Sequence, residues 1–110
     1  MEITFASKKI QRIVNDDREL LRVFGKDRAK NIAKRLSQLR FATSLEDLRF
    51  LPGKFHELTE DRKGQWACAL DQPYRLVFVP HENPIPVNGD GQYDWSKIKG
   101  VKIIEIADYH

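Results

Sequence analysis

Residues 55–79 read FHELTEDRKGQWACALDQPYRLVFV. Three short runs within it, Phe55–Leu58, Trp66–Leu70 and Tyr74–Val79, read as strands between turn segments. The segments between them, Asp61-Arg62-Lys63-Gly64 and Asp71-Gln72-Pro73, carry turn residues. Connections this short join neighbouring antiparallel strands, because a parallel pair needs a long crossover. Just upstream, Pro52-Gly53 breaks the chain after Leu51.

Working towards the C-terminus, residues 80–97 hold Pro80, Pro84, Pro86, Gly89 and Gly91. They predict a long loop, either mobile or making contacts through Tyr93 and Trp95. Val101–Ile106 then predicts a strand. Ile103, Ile104 and Ile106 suggest burial on both faces and a place inside the sheet. Working towards the N-terminus, residues 2–6 alternate as a strand with Ile3 and Phe5 on one face. Ser7 can cap a helix over residues 8–15, with Ile10, Ile13 and Val14 sharing a face. Asp16 and Glu19 fit a capping arrangement for a second short helix carrying Leu20, Leu21 and Phe24, ended by Gly25. The most pronounced helix runs over residues 27–42, with an apolar stripe of Ala29, Ile32, Ala33, Leu36 and Leu39. Its other face carries Arg28, Lys30, Lys34, Arg35 and Arg40, as a solvated face or as a surface for RNA or a partner. Thr43-Ser44 restarts a turn or short helix through Leu48. A strand, helices and four further strands predict an α+β domain, with helices packed on a mostly antiparallel sheet of four to five strands.

The 110 residues make one domain, large enough to fold around a single core without a disulfide or metal. Cys68 is the one cysteine, which excludes an internal disulfide and a cysteine zinc site. Its setting in a strand reads as a small buried hydrophobe rather than a nucleophile. Lys and Arg number 19 against 16 acidic residues, a net charge of +3. That surplus permits contact with phosphates without demanding it. No apolar run reaches membrane-spanning length and the start of the chain lacks a signal-peptide core, so a cytoplasmic protein is expected.

Three histidines are available for proton transfer, His56, His81 and His110. His81 follows Pro80 at the start of the loop and is assigned to the surface. His56 lies on a short strand before a polar turn holding Arg62 and Lys63. His110 follows a strongly apolar strand with Ala107-Asp108-Tyr109 between, so the strand anchors it. Asp108 can orient a histidine or cation, and Tyr109 can stack on a base or donate a hydrogen bond. Arg75 interrupts the apolar row of Val77 and Val79, as an edge ion pair or as a fixed cation for a phosphate. RNA is cut when its 2′-hydroxyl attacks the adjacent phosphorus. That reaction needs a base, an acid and positive charge beside the phosphorane. Two histidines and an arginine supply all three without a metal or other cofactor.

In His56-Glu57-Leu58-Thr59-Glu60-Asp61-Arg62-Lys63-Gly64 with Trp66, in Tyr74-Arg75-Leu76-Val77-Phe78 and in the ending Asp108-Tyr109-His110, the chain resembles the HigB branch of the RelE/ParE toxin superfamily. The resemblance implies a RelE-like fold and metal-independent cleavage of mRNA on the ribosome. It implies His56 as an acid/base residue, Arg75 as the phosphate-facing cation, and Asp108, Tyr109 and His110 as the C-terminal half of the site. It also implies a cognate antitoxin, commonly a helix-turn-helix protein. One position departs from the pattern: Thr59 stands where family members carry a catalytic lysine, with Glu57 and Glu60 adding negative charge nearby. Lys54, Arg62 and Lys63 are the candidate substitutes for contact with RNA. Two alternatives remain, a ParE-type toxin acting on a protein target such as DNA gyrase, and a non-catalytic module binding RNA or an antitoxin. The loop over 80–97 looks like an insertion relative to shorter members.

Overall fold

The computed structural model describes residues 1–108. The chain forms β1 (Glu2–Phe5), α1 (Lys8–Val14), α2 (Asp17–Phe24), α3 (Lys26–Phe41), β2 (His56–Glu57), β3 (Trp66–Ala69), β4 (Tyr74–Pro80) and β5 (Gly100–Asp108), with short 3-10 turns at Leu45–Leu48, Glu60–Arg62 and Trp95–Lys97. The five strands make one sheet in the order β1-β5-β4-β3-β2. All neighbours are antiparallel except β1 and β5. This is the expected α+β arrangement, with β5 inside the sheet.

The helix starts follow their capping residues. The Ser7 hydroxyl accepts from the Ile10 N–H, and the Asp16 carboxylate accepts from the Arg18 and Glu19 N–H groups. Glu19 does not return the contact expected of a capping pair; its carboxylate holds Arg22 at 2.6 Å instead. Gly25, with φ of 81°, ends α2 and starts α3, a backbone conformation that costs glycine little.

One expectation about helix faces, on α3, is corrected. On α2, Leu20 is buried but Leu21 lies half in solvent. On α3 the buried stripe is Ala29, Ile32, Arg35, Leu36 and Leu39; Ala33 is exposed, and Arg35 is only 9% exposed. Positions 32, 35, 36 and 39 share one helical face, whereas 33 lies on its flank. Arg35 survives burial because its donors find acceptors: Nε donates to the Ala69 carbonyl at 2.7 Å and a terminal N–H to Gln38 Oε1 at 2.9 Å. Arg35→Ala leaves that carbonyl without its donor, and a loss of about 1–3 kcal/mol is expected by thermal denaturation. An unchanged melting temperature would show that the buried fork holds nothing.

The α-helices pack on the face formed by Trp66, Cys68, Leu76, Phe78, Val101 and Ile103. Cys68 is fully buried there, and its thiol is pushed up to about 12 by desolvation, against a small opposing pull from Arg35. A thiolate is the reactive form, so Cys68 is expected to resist alkylation at neutral pH until the chain unfolds. Rapid labelling of the native protein would contradict this. Between β4 and β5 the register slips: Val77 faces Glu105 but Phe78 faces Ile103, so Ile104 is the extra residue of a bulge. The expected burial on both faces is not met: Ile104, the bulge residue, and Ile106, opposite Leu76 on the helix-packed face near the end of β5, are each half-buried.

The 80–97 segment is folded onto the core. Trp95 is buried, donates from Nε1 to the Glu57 carboxylate at 2.7 Å, and packs edge-on against Trp66. The Arg49 guanidinium lies 3.9 Å above its ring. Tyr93 also packs on Trp66, with ring centroids 5.4 Å apart, and pairs with Val87 in an isolated bridge. The expected contacts through Tyr93 and Trp95 are thus the ones that fix the segment.

Candidate functional site

Sheet register sorts the helix-free face into rows, because directly paired residues point the same way. One row runs His56, Ala67, Val77 and Glu105 across β2, β3, β4 and β5. The next row towards the β3–β4 turn runs Ala69, Arg75 and Ala107. His56 and Arg75 therefore lie on the same face, on strands separated by β3, with only alanine methyls on the floor between them. Strands are spaced by about 4.7–4.9 Å and rows along them by about 6.6 Å, so His56 and Arg75 stand two strands and one row apart, with long side chains able to reach one small group between them.

That floor opens into a cleft of about 100 Å³ lined by Lys54, His56, Ala69, Leu70, Gln72, Pro73, Tyr74 and Arg75. Three of the sequence-selected residues, Lys54, His56 and Arg75, are brought together here. The turn before β2 is what places two of them. Gly53 has φ of 120° and Lys54 φ of 52°, two successive left-handed positions. A Cβ on Gly53 would lie 2.9 Å from the Phe55 ring and 3.0 Å from the Arg35 guanidinium, so only glycine fits against them. The Gly53 carbonyl accepts from the Ala69 N–H at 2.7 Å, and the Gln38 side chain donates to the Pro52 carbonyl. The turn is thus clamped to both β3 and α3.

The same turn sets the histidine's tautomer. His56 Nδ1 lies 2.6 Å from the Lys54 carbonyl, and a carbonyl can only accept, so Nδ1 carries a proton. In the neutral ring Nε2 is then the basic nitrogen. Arg28 adds a second cation behind the cleft: its guanidinium lies 3.4 Å from the Tyr74 ring centroid and pairs with Asp71 at 3.2 Å. The sequence placed both Arg28 and Arg35 on a solvated or binding face. In the fold both are committed, one to Tyr74 and Asp71, the other to the backbone beneath the cleft. A polar residue at a stripe position, as Arg35 is, was the available signal.

The other candidates are distributed differently. Arg62 crosses the sheet to Glu105, with Nη2 2.5 Å from Oε1, and also donates to Gln65. It spans from the β2–β3 connection to β5 and so passes over Ala67 and Val77, both fully buried. Its charge is balanced in the middle of the face rather than directed at the cleft. Lys63 lines two other clefts, not the one containing His56. Glu57 does not add charge beside His56: it pairs in register with Trp66, faces the opposite side and accepts from Trp95. Thr59 and Glu60 are exposed on the connection and do not line the cleft. Asp108 ends β5 opposite Tyr74, one of the cleft-lining residues. Tyr109 and His110, the remaining candidates, lie outside the described residues. Among the described residues, no cluster of three or more His, Cys, Asp or Glu side chains could hold a metal ion, and no helix is long and apolar enough to cross a membrane.

An N-terminal strand, three helices and a five-stranded, mostly antiparallel sheet define the fold of the RelE/YoeB-like toxins. Among the solved structures it resembles are a YoeB/ParE toxin and YoeB proteins. The YoeB/ParE toxin from Agrobacterium tumefaciens superposes with a TM-score of 0.57 at 14% identity, over 100% of both chains. A chain of the YoeB–YefM complex from Staphylococcus aureus gives 0.57 at 18% identity, over 100% of this chain and 97% of that one. The YoeB dimer from Staphylococcus aureus gives 0.56 at 19% identity, with the same coverage. No family model and no curated protein matches the chain by sequence.

Proposed function

We propose that the protein is a HigB-like toxin of a type II toxin–antitoxin pair that cleaves mRNA on the ribosome without a metal. The observation that carries this reading is the convergence of His56, Arg75 and Lys54 on one cleft beside the end of β5. His56 Nε2 takes the proton of the 2′-hydroxyl. The 2′-oxygen forms a bond to phosphorus as the bond from phosphorus to the 5′-oxygen breaks, leaving a cyclic phosphate and a 5′-hydroxyl. Arg75 stabilises the charge that builds on the phosphorane, and Lys54 supplies the cation that Thr59 does not. His110 returns a proton to the leaving 5′-oxygen, with Asp108 and Tyr109 as its neighbours in the same half of the site. The site of action is cytoplasmic, and the natural partner is an antitoxin, helix-turn-helix in type, whose binding silences the toxin. The structural likeness to a chain of a YoeB–YefM complex supports such a partnership.

Mapping mRNA ends on translating ribosomes tests the reading. The full chain is expected to yield cleavage and growth arrest, and the chain lacking His110 is expected to yield neither. Intact mRNA with arrested growth in both would overturn it. Inhibition of DNA supercoiling by the purified protein would then identify the gyrase-directed alternative.

A further inference from the structure

The helix-free face has a third row, beyond the Arg62–Glu105 pair. It runs Val79, Lys102 and Thr4, with Gln65 just before the start of β3: Val79 and Lys102 are paired across β4 and β5, and Thr4 and Lys102 across β1 and β5. A second cleft, of about 650 Å³, opens over this row. Its lining includes Lys63, Lys102, His81 and Ile85, so the folded 80–97 segment provides one wall. That wall is fixed. The His81 N–H donates to the Gly100 carbonyl at 2.9 Å, and the His81 ring packs so closely on Gly100 that a Cβ there would lie 2.8 Å from Nδ1.

Lys63 and Lys102 are both exposed, and neither pairs with a carboxylate among the described residues. The one acid in the lining, Glu82, is engaged within the wall: its Oε2 accepts from the Lys99 N–H at 2.7 Å and lies 3.2 Å from Nε2 of His81, itself a lining residue. The Arg62–Glu105 pair lies between the two clefts. Along β4 the cleft rows are Arg75 and Val79, four residues apart, or roughly 13 Å at the usual strand rise. A few nucleotides of extended single strand span that distance.

We infer that this second cleft is a phosphate subsite for the flanking strand of the RNA, with Lys63 and Lys102 as its cations. The inference rests on the nuclease reading for the identity of the strand, and it assigns the inserted segment a role as the wall of the binding track. Phosphate contacts set the register of a strand without reading its sequence. Lys63 therefore serves the flank of the strand, not the reacting phosphate.

The test uses the full chain carrying His56→Ala, which removes the proposed base, and short single-stranded RNA at several salt concentrations. Adding Lys63→Met and Lys102→Met is expected to weaken binding and to lower the slope of log affinity against log salt by about 0.7 for each phosphate no longer neutralised. RNA with a neutral methylphosphonate a few linkages from the scissile position is expected to bind less tightly to the His56→Ala chain and equally to the triple variant. An unchanged slope on adding the two lysine substitutions would overturn the subsite, as would failure of the His56→Ala chain to bind RNA at low salt. Cleavage on ribosomes is measured separately, so a chain that binds through Lys63 and Lys102 but never cuts mRNA keeps the subsite and loses the nuclease.

Discussion

On the proposed nuclease reading, His56→Ala is expected to lower the rate of mRNA cleavage by about 10²–10⁴-fold, the usual contribution of a positioned acid–base group. The effect follows from geometry. The Lys54 carbonyl fixes the proton on Nδ1 and leaves Nε2 as the basic nitrogen of the neutral ring. Alanine removes the base but not the turn, because the Gly53–Ala69 backbone bond and the packing of Phe55 do not involve the imidazole. Melting temperature is therefore expected to change little while cleavage collapses. His56→Gln restores polarity without a base and should not rescue the rate. A variant that cleaves at the native rate would remove His56 from the mechanism. A variant that loses fold and activity together would make it a structural residue.

The second large effect is on stability. Trp95→Ala is expected to cost about 3–5 kcal/mol, the range for truncating a buried aromatic. Trp95 is the point at which the 80–97 segment meets the core. It packs on Trp66, lies under Arg49 and gives Glu57 the hydrogen bond that keeps its carboxylate satisfied. Removing it leaves Glu57 half-buried without that donor. Each kcal/mol corresponds to about 4–8 °C in a domain near this size, so the shift is readily measured. Trp95→Phe keeps the packing and loses only the N–H. It is expected to fall between the native chain and Trp95→Ala, and equality with Trp95→Ala would show that the hydrogen bond, not the ring, carries the anchor.

The architecture was legible because the signals that specify it are local. The hairpin order came from three short runs separated by two turns, and the caps at Ser7 and Asp16 stand where their residue types place them. Arg35 and Ala33 were exchanged in expectation because side-chain polarity argued against a buried arginine, and the acceptors that satisfy it, Ala69 and Gln38, come together only in the fold. The grouping of His56 with Arg75 follows from register, which alternation alone does not fix. The balance of Arg62 by Glu105 depends on a pairing between residues 43 positions apart, and no spacing in the sequence announces it. Lys102 went unnoticed because a lysine in an apolar strand reads as a solvent-facing residue; only the sheet order sets it beside Lys63 over one cleft.

The sheet order also bears on how the molecule is made. β1, near the start of the chain, has β5 as its one hydrogen-bonded neighbour, so Glu2 waits for Gly100. β4 likewise gains its second partner only with β5. Until about the hundredth residue emerges, a growing chain can form the β2–β3–β4 meander and the helices but cannot close the sheet. Contacts of such long separation slow folding, since loop-closure entropy is spent before they reward it. The cleft lies beside the end of that same strand. A chain that still lacks β5 therefore lacks both the closed sheet and the strand beside the cleft.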